Sequence, residues 1–131
     1  MLNNQLLKYG DVIFVNLPSH NPKGHEQEGR RPAVIVGVPS GDVRYPIVVV
    51  VPLTTQFGDW IKKNPELYPI IQAGTAGLPQ KSVALCDQIR AVDIQRVIGY
   101  LGSLSFKEYL PIIDGVKRVL DLQDLERRLP L

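Results

Sequence analysis

The run Ile47-Val48-Val49-Val50-Val51 consists of β-branched residues only, and such residues are stiff at χ1 and fit a pleated strand better than a helix. No polar residue alternates with them, so both faces of this strand are expected to be covered, as in the central strand of a sheet. The punctuation around it agrees. Pro39-Ser-Gly-Asp42 ahead of it reads as a tight turn. Further upstream, Val12-Ile-Phe-Val-Asn-Leu17 and Ala33-Val-Ile-Val-Gly-Val38 read as two more strands, separated by the breaker cluster Pro18-Ser-His-Asn-Pro-Lys-Gly24 and a long polar loop. Downstream, the stretch from Gln56 to Pro79 is polar and broken. It holds at most one helical turn at Trp60-Ile-Lys-Lys63 and a weak edge strand at Tyr68-Pro-Ile-Ile-Gln72, where the proline removes a donor. Ser82-Val-Ala-Leu-Cys86, Gln88-Ile-Arg-Ala-Val92 and Val97-Ile-Gly-Tyr-Leu101 complete the strands, with short joins between them.

A helix begins after the last strand. Ser105-Phe-Lys-Glu108 is a capping box, in which the Ser hydroxyl and the Glu carboxylate each satisfy an amide that the helix start would leave unpaired, and Leu104 and Tyr109 stand at staple spacing. Ile113, Val116 and Leu120 then recur at three- and four-residue steps, so this stripe is expected to pack on the core, with a kink at Pro111. The mixed-charge stretch beyond Asp121 is expected to be solvated. The fold class predicted is therefore mainly β: a small barrel of about six strands spanning about residues 8–102, followed by a helix over about 105–122, all in one domain across 1–131.

Length and composition exclude several classes. With 131 residues and 14.6 kDa the chain suffices for one core, and 44% hydrophobic against 21% charged residues excludes global disorder. Fifteen Lys and Arg against thirteen Asp and Glu leave a net charge of only +2, too little for non-specific coating of nucleic acid, so any nucleic-acid contact must be local. The single cysteine, Cys86, has no partner for an internal disulfide, which points to a reducing compartment such as the cytoplasm. Cys86, His20 and His25 do not amount to a metal site, and no cofactor motif is present. The longest apolar run, Ile47 to Leu53, falls far short of a membrane span, and the first residues lack a basic-then-apolar leader pattern, so no membrane association is expected.

The chemistry concentrates in three places. His25-Glu-Gln-Glu-Gly-Arg-Arg-Pro32 puts a base candidate, carboxylates, an amide and two guanidiniums just ahead of a buried strand. Pro32 restricts Arg31 to an extended backbone, so its planar, permanently charged fork projects from a fixed base and suits a phosphate. The alternative is that Arg30 and Arg31 pair with Glu26 and Glu28 at the surface. Thr54 and Thr55 end the central strand, where their hydroxyls either meet a ligand oxygen or cap the strand locally. Residues 81, 83, 85 and 87 are expected to share one strand face, bringing Lys81 and Asp87 to one surface and leaving Cys86 for the core.

Four segments in order, Gly10-Asp-Val-Ile-Phe-Val15, Gly24 through Val36, Val51-Pro-Leu-Thr-Thr55 and Cys86-Asp-Gln-Ile-Arg-Ala-Val-Asp93, resemble the MazF/PemK (Kid) family of toxin endoribonucleases. The resemblance implies an SH3-like barrel, a homodimer, metal-independent cleavage of single-stranded RNA without a cofactor, and a cognate antitoxin protein as partner. By motif it makes Arg31 the residue that stabilises the phosphorane or donates a proton, Thr54 the residue that binds the scissile phosphate, Asp87 the base for the 2′-hydroxyl, and His25 a further catalytic residue. Glu26, Gln27, Thr55, Lys81 and Gln88 lie beside these and are expected to contact RNA. One position departs from the PemK branch: Leu85 stands where that branch carries an arginine that serves as general acid. Either Arg31 takes that role, which is the favoured reading, or Lys81 on the same strand face compensates, or the activity is weakened. Two other functions compete. A CcdB-like gyrase inhibitor would end in Trp-Gly-Ile, whereas this chain ends Arg-Leu-Pro-Leu131 and its only tryptophan is Trp60. A non-catalytic SH3-like module binding RNA or protein would leave RNA intact.

Overall fold

In the computed structural model, which describes residues 7–122, the strands are β1 (Asp11–Leu17), β2 (Gly29–Gly37), β3 (Ile47–Thr54), β4 (Ile70–Ile71), β5 (Ser82–Ala84), β6 (Arg90–Asp93) and β7 (Val97–Ser103). A short helix α1 (Asp59–Lys63) and a long one, α2 (Phe106–Leu120), complete the chain order. The sheet runs β4-β5-β3-β2-β1-β7, and β6 adds a second partner to β3. β4 lies within the segment read as a weak edge strand. Every pairing is antiparallel.

β3 organises the sheet. One edge pairs with β2, with Ala33 opposite Pro52 and Val34 opposite Val51. The other edge is divided: β6 takes Ile47 to Val50, and β5 takes Leu53 and Thr54. With two strands on one edge at different heights and the right-handed twist of every strand, the sheet curls into a half-barrel. Alternate residues of β3 then enter two separate cores: Val48 and Val50 pack with Ile13, Val15 and Ile35, while Val51 and Leu53 pack with Val12, Val34 and the helix residues Ile112 and Val116. The expectation of a central strand covered on both faces is met.

Helix α2 covers the second of these cores. Its start carries both capping-box bonds, Ser105 N to Glu108 Oε1 at 2.7 Å and Glu108 N to Ser105 Oγ at 3.2 Å, and Leu104 and Tyr109 both join the core beneath. The packed face differs from the stripe expected. Ile112, Gly115 and Val116 are the buried residues, whereas Ile113 is only partly covered and Leu120 is exposed. The reason is Gly115: a Cβ there would lie 2.6 Å from Cys86 Sγ, so the helix sits closest to the barrel at the residue with no side chain, which a count of apolar residues passes over. Pro111 lies on the exposed side of α2, and the helix continues through it to Leu120. The expectation for the chain beyond Asp121 falls mainly on residues 123–131, and that for the leader pattern on residues 1–6; both ranges lie outside the described residues. Among the described residues no helix is long and apolar enough to cross a membrane.

The curl is closed where the turn at Thr75–Gly77 meets β7. A Cβ on Gly102 would stand 2.5 Å from the Ala76 carbonyl carbon, and a Cβ on Gly77 would collide with the Leu101 backbone. Gly77 also has φ +76, a conformation that side chains disfavour. Two chains of backbone thus touch directly, with no side chain between them. Gly102→Ala is expected to lower the unfolding free energy by about 1–3 kcal/mol, read from the urea midpoint. Gly99→Ala, on the same strand but with nothing within 4 Å of the new methyl, should stay within about 0.5 kcal/mol of wild type.

Candidate active site

Antiparallel pairing brings two motifs of distant sequence together. The β2–β3 register ends with Ala33 opposite Pro52, and just beyond it Arg31 and Thr54 line one cleft from the two strands. Between them opens a cleft of about 290 Å³, lined from the β2 side by Gln27, Arg30, Arg31 and Pro32 and from the β3 side by Leu53, Thr54, Thr55 and Gln56, with Ser82 at its base. Four of the residues expected at the site, Gln27, Arg31, Thr54 and Thr55, therefore meet in one place.

Arg31 is held by neutral acceptors. Its Nε donates to the Glu28 carbonyl at 3.2 Å and its Nη1 donates to Gln27 Oε1. Neither partner is charged, so the guanidinium keeps its full positive charge facing the cleft. Partial burial lowers its pKa from the ordinary 12.5, yet arginine stays protonated in proteins. The surface ion-pair alternative does not form: the Glu28 carboxylate instead accepts from the His20 amide at 3.1 Å and pairs with Lys23 at 3.7 Å. Across the cleft, Thr54 Oγ1 accepts the Gln56 amide at 3.1 Å. That is the local strand-end cap, and it directs an acceptor lone pair to the backbone while the hydroxyl proton remains available to an incoming oxygen.

The loop that presents Gln27 and Arg31 is clamped from the β6 side. Gln88 Oε1 accepts from the Gln27 amide and Gln88 Nε2 donates to the His25 carbonyl, both at 3.3 Å. Arg90 Nη1 donates to the Gln27 carbonyl at 3.2 Å and lies 3.5 Å from His20 Nε2. Gln88 thus holds the loop by both its amide atoms, whereas His25 and Glu26 are exposed on that loop outside the cleft lining.

The strand-face expectation for residues 81 to 87 fails. β5 ends at Ala84, and Cys86–Gln88 form a single 3-10 turn, so alternation stops before it reaches Asp87. Leu85 is buried, its amide donating to the Pro52 carbonyl at 2.9 Å, while Lys81 is exposed with its ammonium 5.5 Å from the Phe57 ring centroid. Leu85 is buried and Lys81 exposed, so the two do not share a face. Asp87 is exposed on the turn, outside the cleft lining, with Oδ2 accepting from the Tyr68 hydroxyl at 2.7 Å. Cys86 faces the core as expected, and Sγ donates to the Ile112 carbonyl at 3.6 Å. Arg30, one of the two guanidiniums of the polar loop, also lines the cleft, as does Ser82, whose Oγ donates to the Gln80 carbonyl at 2.9 Å and which nothing in the sequence singles out. Ser82 reaches the cleft through the β3–β5 pairing, a contact between distant segments that no local pattern announces. Among the described residues, no three His, Cys, Asp or Glu side chains converge as a metal ion would require.

This curled sheet with a cleft at the β2–β3 end belongs to a known class. A family described as the PemK-like, MazF-like toxin of type II toxin-antitoxin systems matches residues 8–120, and the chain belongs to that family. It is similar to Endoribonuclease MazF of Staphylococcus saprophyticus, 30% identical over 112 residues that cover 83% of this chain and 89% of that protein. It is also similar to Endoribonuclease MazF9 of Mycobacterium tuberculosis, 26% identical over 125 residues, 89% of this chain and 98% of that one. In fold it is similar to MazF from Deinococcus radiodurans, with a TM-score of 0.66 at 20% identity, covering 88% of this chain and 96% of the other. A mycobacterial endoribonuclease solved in complex with its cognate antitoxin is similar at TM-score 0.63 and 20% identity, with the same coverage.

Burial, aided by the Asp87 charge, pushes the Cys86 thiol up to about 12. A raised thiol pKa favours the neutral, unreactive form, so thiolate is scarce throughout the neutral range. Iodoacetamide at pH 8 is expected to leave Cys86 unmodified in the folded protein and to alkylate it in urea, with mass spectrometry as the readout.

Proposed function

We propose that this chain is the toxin of a type II toxin-antitoxin pair and acts as an endoribonuclease, cutting single-stranded RNA at a short sequence without a metal. The observation that carries the reading is Arg31: a guanidinium bound only to neutral oxygens, in an open cleft, opposite the Thr54 hydroxyl. That pairing of a full positive charge with a hydroxyl donor is what a phosphodiester needs.

In RNA the nucleophile is already attached. The 2′-oxygen attacks the adjacent phosphorus in line, a P–O2′ bond forms, the P–O5′ bond breaks, and the products are a cyclic phosphate and a 5′-hydroxyl. Because the attack is intramolecular, the protein has three tasks: to take the 2′ proton, to protonate the leaving oxygen, and to stabilise the added phosphorane charge. Thr54 binds the scissile phosphate. Arg31 stabilises the phosphorane and, with Leu85 buried and uncharged, is the group that supplies the leaving oxygen with a proton. Asp87 is the base. His25, exposed on the clamped loop, is the further catalytic residue that the resemblance implies, while Glu26, Gln27, Thr55, Lys81 and Gln88 border the RNA. A net charge of +2 suits this mode, since phosphate contacts fix the register and base edges confer choice. As in the resemblance noted from sequence, the working form is a homodimer, blocked by a cognate antitoxin, in the cytoplasm.

Purified protein incubated with a long RNA in EDTA is expected to yield cuts at one recurring short sequence. Intact RNA, whether retained by the protein or accompanied by gyrase arrest, would reject the nuclease. Arg31→Ala is expected to lower the cleavage rate by at least about 10²–10³-fold, with the melting temperature within about 2 °C of wild type. A large loss of stability would mean that Arg31 serves the fold. Asp87→Asn should slow cleavage by about 10²-fold or more, and a rate within a few-fold of wild type would transfer the base role to His25 or Glu26.

A further inference from the structure

We infer that Tyr68 is a positioning residue for the Asp87 carboxylate, an inference that rests on the reading of Asp87 as base. Tyr68 lies in the segment between α1 and β4, at the start of the stretch that sequence alone marks as a weak edge strand. Its hydroxyl donates to Asp87 Oδ2 at 2.7 Å, while Oδ1 carries no hydrogen bond among the described residues. The carboxylate is thereby presented with one oxygen occupied and the other open.

Both ends of this bond are fixed to the body of the fold. The Tyr68 ring meets Trp60 of α1 edge to face, with centroids 4.8 Å apart and an interplanar angle of 82°. Its neighbour Leu67 packs on the core, and the Pro69 carbonyl accepts the Ala84 amide at 2.9 Å, tying the segment to β5. On the other side, Asp87 follows Cys86, which is locked behind the turn by the Ile112 carbonyl and by the close approach of Gly115. The bond closes no helix end and fills no core. Asp87 is exposed, and water would serve its charge as well, so the bond adds little to stability.

What the bond does supply is direction. A carboxylate on a short exposed turn samples several rotamers, and a general base works only when its oxygen stands about 2.6–3.2 Å from the proton it takes. With Oδ2 held by the phenol, Oδ1 is the atom left to receive the 2′ proton. The Tyr68 phenol is pushed up to about 12, first by this bond and then by burial. It therefore remains a donor at every pH at which RNA cleavage is measured, and the arrangement does not reverse.

Tyr68→Phe keeps the ring against Trp60 and removes only the O–H. Steady-state cleavage of a short cognate RNA is expected to show kcat lowered by about 10–100-fold, with KM within about two-fold and an unchanged melting temperature. If Asp87→Asn abolishes cleavage while Tyr68→Phe retains wild-type kcat, the inference about Tyr68 fails and the base reading stands. If Asp87→Asn remains active, both fall together. A Tyr68→Phe effect confined to KM would make the phenol an RNA contact, and a lowered melting temperature would make it structural; either overturns the positioning role.

Discussion

The divided edge of β3 is the constraint on which the rest depends. A strand whose first half pairs with β6 and whose last residues pair with β5 belongs to two ladders along one edge, and the twisted sheet curls around it so that its alternate residues enter two cores. The curl in turn requires the far ends of the sheet to approach, and they do so at Gly77 and Gly102, where backbone touches backbone. Hydrophobic burial drives the closure, but only hydrogen atoms at those two α-carbons permit it.

The cleft inherits its geometry from this arrangement. Antiparallel pairing of β2 with β3 brings Arg31 and Thr54 to one cleft, Pro32 stiffens the backbone behind the guanidinium, and Gln88 and Arg90 hold the loop on which Gln27 lies. Charged partners for Arg31 were available nearby in Glu26 and Glu28, and an ion pair with either would have cancelled the field that a phosphate needs. Instead Glu28 turns to Lys23 and the His20 amide, while Arg31 is steadied by an amide oxygen and a carbonyl. Positioning and charge are thereby separated, a common requirement of sites that stabilise developing negative charge.

Much of this was legible in the residues. The β-branched run at Ile47–Val51, the breaker clusters and the capping box at Ser105 gave the strands and the helix start because each is a local effect, decided within a few residues. Arg31 stood out because the proline behind it acts locally too. The strand-face reading of residues 81 to 87 failed for the opposite reason. Alternation holds only while a partner strand continues, and β5 ends at Ala84, a fact fixed by where β3 ends rather than by any residue in 81–87. The packed face of α2 was misjudged because a close approach is marked by the absence of a side chain, at Gly115.

The order and kind of the elements, the solitary thiol, the mild charge and the chemical type of the residues at the cleft are written in the residues themselves, since these depend on side-chain identity and near neighbours. Tertiary structure alone decided which of them meet: Arg31 with Thr54, Gln88 with the loop at residues 25–27, and Tyr68 with Asp87. Those meetings depend on strand register and on a curl that spans most of the chain, and long-range pairing of that kind leaves no periodicity for a local reading to find.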